Sequence, residues 1–178
     1  MIYTYKELLA HLGSAYQIAK EIKKGTICKL FDGIYSNSEN YSPIEYIAKK
    51  FPNSVFTFTS SLFFYGLIDN LPDKYCLACK KNSTRIRDKN VHQFFVDNLF
   101  EGVNLLEYNG VELKVYCLEK SLICLIKNRN KIDRSLYHFA IRSFRLIENR
   151  IDKIKLAKFL CKEKCNKSIT RIIYDEVF

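Results

Sequence analysis

Residues 4–36 read TYKELLAHLGSAYQIAKEIKKGTICKLFDGIYS, and their punctuation decides how the chain begins to fold. Thr4 is a helix N-cap with Glu7 three residues on, the spacing at which the two side chains cap each other's backbone. Leu8, Leu9 and Leu12 supply an apolar face, and Gly13 ends the helix. Ser14 caps a second helix over 15–24, closed by Gly25. Ala15, Ile18, Ala19 and Ile22 fall at i, i+3, i+4 and i+7, the predicted buried stripe. Tyr16, Gln17, Lys20, Lys23 and Lys24 are left on the other side. Two short strands, 27–31 and 34–35, then flank Asp32-Gly33, a favoured hairpin turn. Helix, tight turn, helix and hairpin is the order of a shortened winged helix-turn-helix. The chemistry fits DNA: Gln17 suits an adenine edge, and Tyr16 and Lys20 suit edges or phosphates. Lys23, Lys24 and Lys29 suit the phosphate backbone. The competing reading is an αα-hairpin with a small sheet that only packs on its neighbour. Residues 1–40 favour that alternative on charge, with five lysines against four acids, net +1.

Beyond Tyr35, the polar run SNSENYS at 36–42 is the one turn-rich stretch long enough to be a linker. It sets the expected domain boundary, 1–40 against 41–178. Ser42 and Pro43 open a helix with Pro in its first turn, and Ile44, Ile47, Ala48 and Phe51 form its inner face. The most aromatic part of the chain follows, PNSVFTFTSSLFFYGLIDNLPDKYCLACKKNSTRIRD at 52–88. A short strand over 53–58 is expected, then a helix over 61–65 capped by Thr59 or Ser60, then a buried strand over 74–79. Lys80, Lys81, Arg85 and Arg87 lie in the basic loop that leaves this core. Further strands are expected at 91–96, 103–108 and 111–116, the last two turning at Asn109-Gly110. From Leu118 the pattern becomes helical, over 118–127, 133–148 and 152–161. In the middle helix Leu136, Phe139, Ala140 and Ser143 keep helical spacing, with Arg142, Arg145 and Arg150 outside. The final ITRIIYDEVF reads equally as helix or strand. The fold class is α+β: a winged helix, then a mixed α/β domain with a sheet of four or five strands and a helical C-terminal part.

Composition narrows the function classes. Formal net charge is +10, with fifteen Lys or Arg against four acids in residues 120–171, net +11. Such a surplus favours a polyanionic partner or an acidic surface. No apolar run approaches the roughly 20 residues of a membrane span, and the N-terminus lacks signal-peptide features, so no membrane and a cytoplasmic location are expected. The seven cysteines are read as reduced core thiols. Cys76 and Cys79 lie three apart on a strand and point to opposite faces, so no metal site is expected.

The runs YKELLAHLGSAYQIAKEIKKGTICKLFDGIYS, SPIEYIAKKFPNSVFTFTSSLFFYGLIDNLPDKYCLA and NSTRIRD resemble the AbiEi antitoxin family of type IV abortive-infection toxin–antitoxin systems. The resemblance covers roughly residues 4–130 and rests most on GIYS, FPNSVFTFTSSLFFYGL and NSTRIRD. It implies an N-terminal winged helix that binds double-stranded DNA at inverted repeats in its own promoter. It also implies a C-terminal domain that counters a nucleotidyltransferase-like toxin, whether or not the two proteins touch. Carried onto this chain, promoter contacts would come from Ser14 through Lys24 and from a wing spanning Lys29 to Tyr35. A second basic surface, Lys80, Lys81, Arg85 and Arg87 with Arg142, Arg145 and Arg150, would extend the DNA contact or meet another acidic partner. Neither a cofactor nor catalysis is expected. GK[ST], GxSxG and HExxH motifs are absent. Glu112-Leu113-Lys114 matches the Glu-x-Lys of Mg²⁺-dependent nucleases, but only Glu107 and Asp97 stand near to supply the further carboxylate. Two alternatives to the DNA-binding antitoxin follow: an antitoxin module acting through protein contact alone, and a nuclease-like domain.

Overall fold

The chain divides into two compact units, residues 1–53 and 54–178. The computed structural model describes residues 1–163, 165 and 167–178. Among these, eight α-helices and two β-sheets make a mixed α+β protein, and no helix is long and apolar enough to cross a membrane.

The first unit runs β1 (Ile2–Thr4), α1 (Tyr5–Leu12), α2 (Ala15–Lys23), β2 (Cys28–Phe31), β3 (Ile34–Ser36) and α3 (Pro43–Lys50). Its sheet is antiparallel in the order β1-β3-β2. The capping box forms as expected: Glu7 N–H donates to Thr4 Oγ1 at 3.3 Å, and Thr4 N–H to Glu7 Oε2 at 2.7 Å. Gly13 closes α1 in a left-handed conformation, φ 81°, its N–H on Leu9 O, a geometry that a Cβ would strain. Leu8, Ile18, Ile27 and Tyr35 are the core, with Tyr3, Leu12 and Ile22 packed around them.

The domain boundary falls after Asn53 rather than in the 36–42 run. That run is a structured turn in which Ser36 Oγ donates to Ser38 O at 2.7 Å and Ser38 Oγ to Asn40 O at 3.2 Å. Helix α3, expected in the second domain, packs on β1 and β3 of the first. Its Glu45 accepts the Ile2 N–H at 3.0 Å, and its Lys49 reaches Glu7 at 2.8 Å. The stripe predicted for α2 is also narrower. Ile18 is buried and Ile22 half-buried, but Ala15 and Ala19 are exposed.

The second unit begins with β4 (Val55–Phe56), shorter than expected, and α4 (Phe58–Phe64), which starts three residues early with Thr57 at its N-cap. Thr57 makes no side-chain cap bond; its hydroxyl donates to Cys124 Sγ at 3.5 Å. The next residue, Phe58, carries a positive φ of 50°, a left-handed conformation costing an L-residue about 1–2 kcal/mol. Burial of its ring against Phe94, at 5.5 Å, holds it there. The strands β5 (Tyr75–Lys80), β6 (Val91–Val96), β7 (Val103–Tyr108) and β8 (Val111–Tyr116) lie close to expectation. The five-stranded sheet has the order β6-β5-β4-β8-β7. Pairing is parallel for β5/β6 and β4/β8, antiparallel for β4/β5 and β7/β8. Asn109 and Gly110 turn the last hairpin with φ 50° and 75°, the two positive values that a type I′ turn needs.

Four helices complete the unit: α5 (Leu118–Lys127), α6 (Arg134–Leu146), α7 (Lys153–Lys162) and α8 (Lys167–Val177). The undecided C-terminal segment is thus a helix, with Ile173 and Val177 buried. In α6 the inward residues are Tyr137, Ala140, Ile141 and Phe144, while Phe139, read as inward, is exposed. Helix α5 is the centre, buried on nearly every side, with Leu122, Ile123, Leu125 and Ile126 inaccessible to solvent. Each such side chain contributes about 1.5–3 kcal/mol of burial.

Candidate nucleic-acid interface

The first unit's outward residues come from α2 and the β2–β3 hairpin. Ser14 Oγ accepts the Gln17 N–H at 3.2 Å, and this bond fixes where α2 starts. The Ser14 hydroxyl keeps its own proton to donate, at a helix N-terminus that attracts phosphate. Ser14→Ala should cost about 1 kcal/mol of helix stability; amide hydrogen exchange across the first turn of α2 should quicken roughly fivefold, and unchanged exchange would show that the cap is dispensable.

From that start Tyr16, Gln17, Lys20, Lys23 and Lys24 all emerge exposed, Tyr16 most of all at 74%. Ala15 and Ala19 share the face, and their small side chains let a helix backbone approach a groove closely. Tyr16, Gln17, Lys20 and Lys23 have no ion-pair or side-chain hydrogen-bond partner among the described residues. Lys24 bridges Glu21 at 2.7 Å, and Thr26 Oγ1 donates to the same carboxylate at 2.6 Å. These contacts, Lys24 first, hold the Glu21 carboxyl below its usual range. On the hairpin, Lys29 bridges Asp32 at 2.7 Å, which raises the lysine and lowers the acid. Both pairs lie in solvent, where such bridges are weak and readily exchanged for a phosphate. Tyr35 is different: its ring is buried in the unit's core. It supports the hairpin from within, and its ring offers little surface for the DNA contact expected of it.

The second set of basic residues comes from separate elements, the β5–β6 connection, α6 and the turn after it. Lys80, Lys81, Arg85 and Arg87 are all exposed at the β5–β6 connection. That loop is pinned by Gln93, whose Oε1 accepts the Ile86 N–H at 2.8 Å and whose Nε2 donates to Thr84 O at 3.1 Å. Lys81 lies 3.5 Å from Asp97. Arg150 follows α6, in the short 3₁₀ turn at 148–150. The Tyr65 hydroxyl accepts from Asn104 Nδ2 on β7 at 3.1 Å, and β7 and β6 are the two edges of the sheet. Burial, the largest influence on it, pushes Tyr65 to about 12. Arg142 and Arg145 are exposed on α6, where Arg145 Nε donates to the Glu176 carbonyl.

Of the residues expected for nuclease-like metal chemistry, Glu107, Glu112 and Lys114 share the β7/β8 hairpin, whereas Asp97 is remote. Glu107 stands opposite Glu112 in the β7/β8 ladder, and Lys114 opposite Leu105. Asp97 follows β6 at the far edge. Among the described residues no group of three or more His, Cys, Asp or Glu is placed to hold an ion. All seven cysteines are free thiols, and burial pushes those of Cys76, Cys79, Cys117 and Cys124 upward.

One polar feature is not among the residues expected from the sequence. Lys120, Cys124, Lys127, Asn128 and Lys131 follow helical spacing along α5 and the short 3₁₀ turn after it, and they line a cavity beneath β6. The 3.6-residue spacing was visible, but the surrounding leucines and isoleucines outweighed it. No protein-family profile matches this chain, and no curated protein matches it.

Proposed function

We propose that this protein is a DNA-binding autorepressor and antitoxin of the type IV toxin–antitoxin kind, with its first unit working as a winged helix. One observation carries the reading. Helix α2 is fixed by a capped start and by buried Ile18, yet presents Tyr16, Gln17, Lys20 and Lys23 to solvent with no hydrogen-bonded or ion-paired side-chain partner among the described residues. Exposed, uncommitted side chains on a rigid helix are what base-edge readout requires. Lys29 on the hairpin and the Ser14 hydroxyl would hold phosphates on either side. The antitoxin role rests on the resemblance across residues 4–130 and falls to the second unit, with a nucleotidyltransferase-like toxin as the opponent.

The test is binding of the full chain to labelled DNA from upstream of its own gene, against scrambled DNA at two salt concentrations. A Gln17→Ala, Lys20→Ala double variant should lose discrimination by about 10- to 100-fold, as expected when base contacts worth about 1–3 kcal/mol are removed. Its residual binding should match that of scrambled DNA. Equal wild-type binding to both DNAs, abolished by salt, would reduce the interaction to non-specific charge.

A second reading draws on the small net charge of residues 1–40 and on Lys24 and Lys29 being engaged by Glu21 and Asp32. It makes the protein an antitoxin that acts by protein contact, without DNA. Rescue from the toxin by the double variant, together with wild type that ignores its upstream DNA, would favour it.

A further inference from the structure

Between β6 and helix α5 lies a cavity of about 360 Å³ in the second unit. It falls at the small end of the about 300–1,000 Å³ of small-molecule sites. One end is cationic. Lys120 is only 6% exposed, and its ammonium donates to Asn98 O at 3.2 Å and Glu101 O at 2.9 Å. Its remaining N–H has no further hydrogen-bond acceptor among the described residues: the Tyr116 ring lies 4.3 Å from the ammonium, and Glu163 Oε1 is 4.0 Å away, beyond hydrogen-bond reach. Lys127 bridges the other oxygen of Glu163 at 2.9 Å. The other end is aromatic, with His92 and Phe94 ring centroids 4.8 Å apart and Lys131 Nζ 5.8 Å from the Phe94 centroid. Asn128 spends its amide N–H on Cys124 O at 2.9 Å, which leaves its carbonyl oxygen to accept.

This is a two-ended site. A buried ammonium such as that of Lys120, with the more exposed Lys127 beside it, is best satisfied by an anion that accepts several charge-assisted bonds at once. An aromatic wall with an adjacent amide suits a flat heterocycle bearing an exocyclic amine. We propose that the cavity binds a nucleotide, with its phosphate on Lys120 and Lys127 and its base against His92, Phe94 and Asn128. Glu163 is the internal anion that occupies the phosphate's place when no ligand is bound. A lone phosphate fills one end only, and a nucleoside leaves the lysines with Glu163, so the intact nucleotide is the ligand that uses both.

The experiment is calorimetric titration of the full chain with ribonucleoside 5′-mono- and diphosphates, the parent nucleosides and inorganic phosphate. At least one nucleotide should bind at least about tenfold more tightly than its nucleoside or phosphate alone. Lys127→Ala with Lys131→Ala, both exposed positions, should weaken that binding by at least about tenfold while leaving unliganded thermal stability nearly unchanged. Glu163→Gln should tighten it, since a competing carboxylate is removed. Arg85→Ala with Arg87→Ala should leave it unaltered. The proposal is overturned if no nucleotide binds at millimolar concentration, or if inorganic phosphate binds as well as the nucleotides. It also falls if the arginine variant loses binding while the lysine variant keeps it, because general surface charge would then be the receptor.

Discussion

Gly102→Ala should destabilise the second unit by about 2–4 kcal/mol, a loss built from two separable terms. Gly102 has φ +69°, a conformation that costs an alanine about 1–2 kcal/mol. Its missing Cβ is also sterically required. A Cβ there would lie 2.8 Å from Phe159 Cζ and 3.3 Å from both Cys117 Sγ and Lys120 Cδ. None of these neighbours yields easily. Phe159 and Cys117 are buried, Lys120 is tied to the Glu101 carbonyl, and Gly102 O itself accepts the Cys117 N–H at 2.8 Å. The control is Gly110→Ala: φ +75° at the hairpin turn, with open space around the added carbon. It should carry the backbone term alone. Urea unfolding of both variants measures the difference, which is the packing cost of pushing Phe159, and with it α7, away from α5. Equal losses would mean that the ring swings aside freely.

Much of this architecture was legible because local signals and tertiary demands agree. Asn109-Gly110 between two alternating runs dictates a hairpin before anything else is known, and α5, α6 and α7 announce themselves by period. Failures occur where a distant partner decides. The three residues of β1 carry no turn or period and become a strand only by pairing with β3. The 36–42 run has the composition of a linker, but Glu45 reaches back to the Ile2 N–H and Lys49 to Glu7, so α3 belongs to the first unit. In the TFTSS run several hydroxyls compete as caps. The helix starts at the earliest place because Phe58 is buried against Phe94 despite its positive φ. For the candidate interface, spacing placed Tyr16, Gln17, Lys20, Lys23 and Lys24 outward as found. It could not show that Tyr35 turns into the core, since alternation on so short a strand has two equivalent readings until β1 covers one side.

The other large effect is expected at Glu119, a carboxylate only 5% exposed in the first turn of α5. Its Oε1 accepts the Asp152 N–H at 3.0 Å, and its Oε2 lies 3.5 Å from Lys155 Nζ, so it fastens the start of α7 to the central helix. Glu119→Ala should cost about 3 kcal/mol near neutral pH, from a part-buried Asp152 N–H left without its acceptor and the loss of the buried member of the Glu119–Lys155 pair. That figure is at the lower end of such losses because Lys155 is 39% exposed at its side chain and regains water. Glu119→Gln keeps the shape and one acceptor and should cost about half as much. Burial acts to raise the Glu119 pKa, but the Asp152 N–H, the Cys117 thiol and Lys155 outweigh it, so the net shift is below the ordinary 4.5. A carboxylate whose folded pKa is depressed contributes stability that is present above its unfolded pKa and disappears as pH falls through the folded one. The gap between wild type and Glu119→Gln should therefore hold constant from neutral pH down to about 4.5 and close below it. Thermal unfolding across that range reads the gap directly. A gap that closed well above 4.5 would mean that burial wins at Glu119, leaving the α5–α7 joint to Leu156, Phe159 and Leu160.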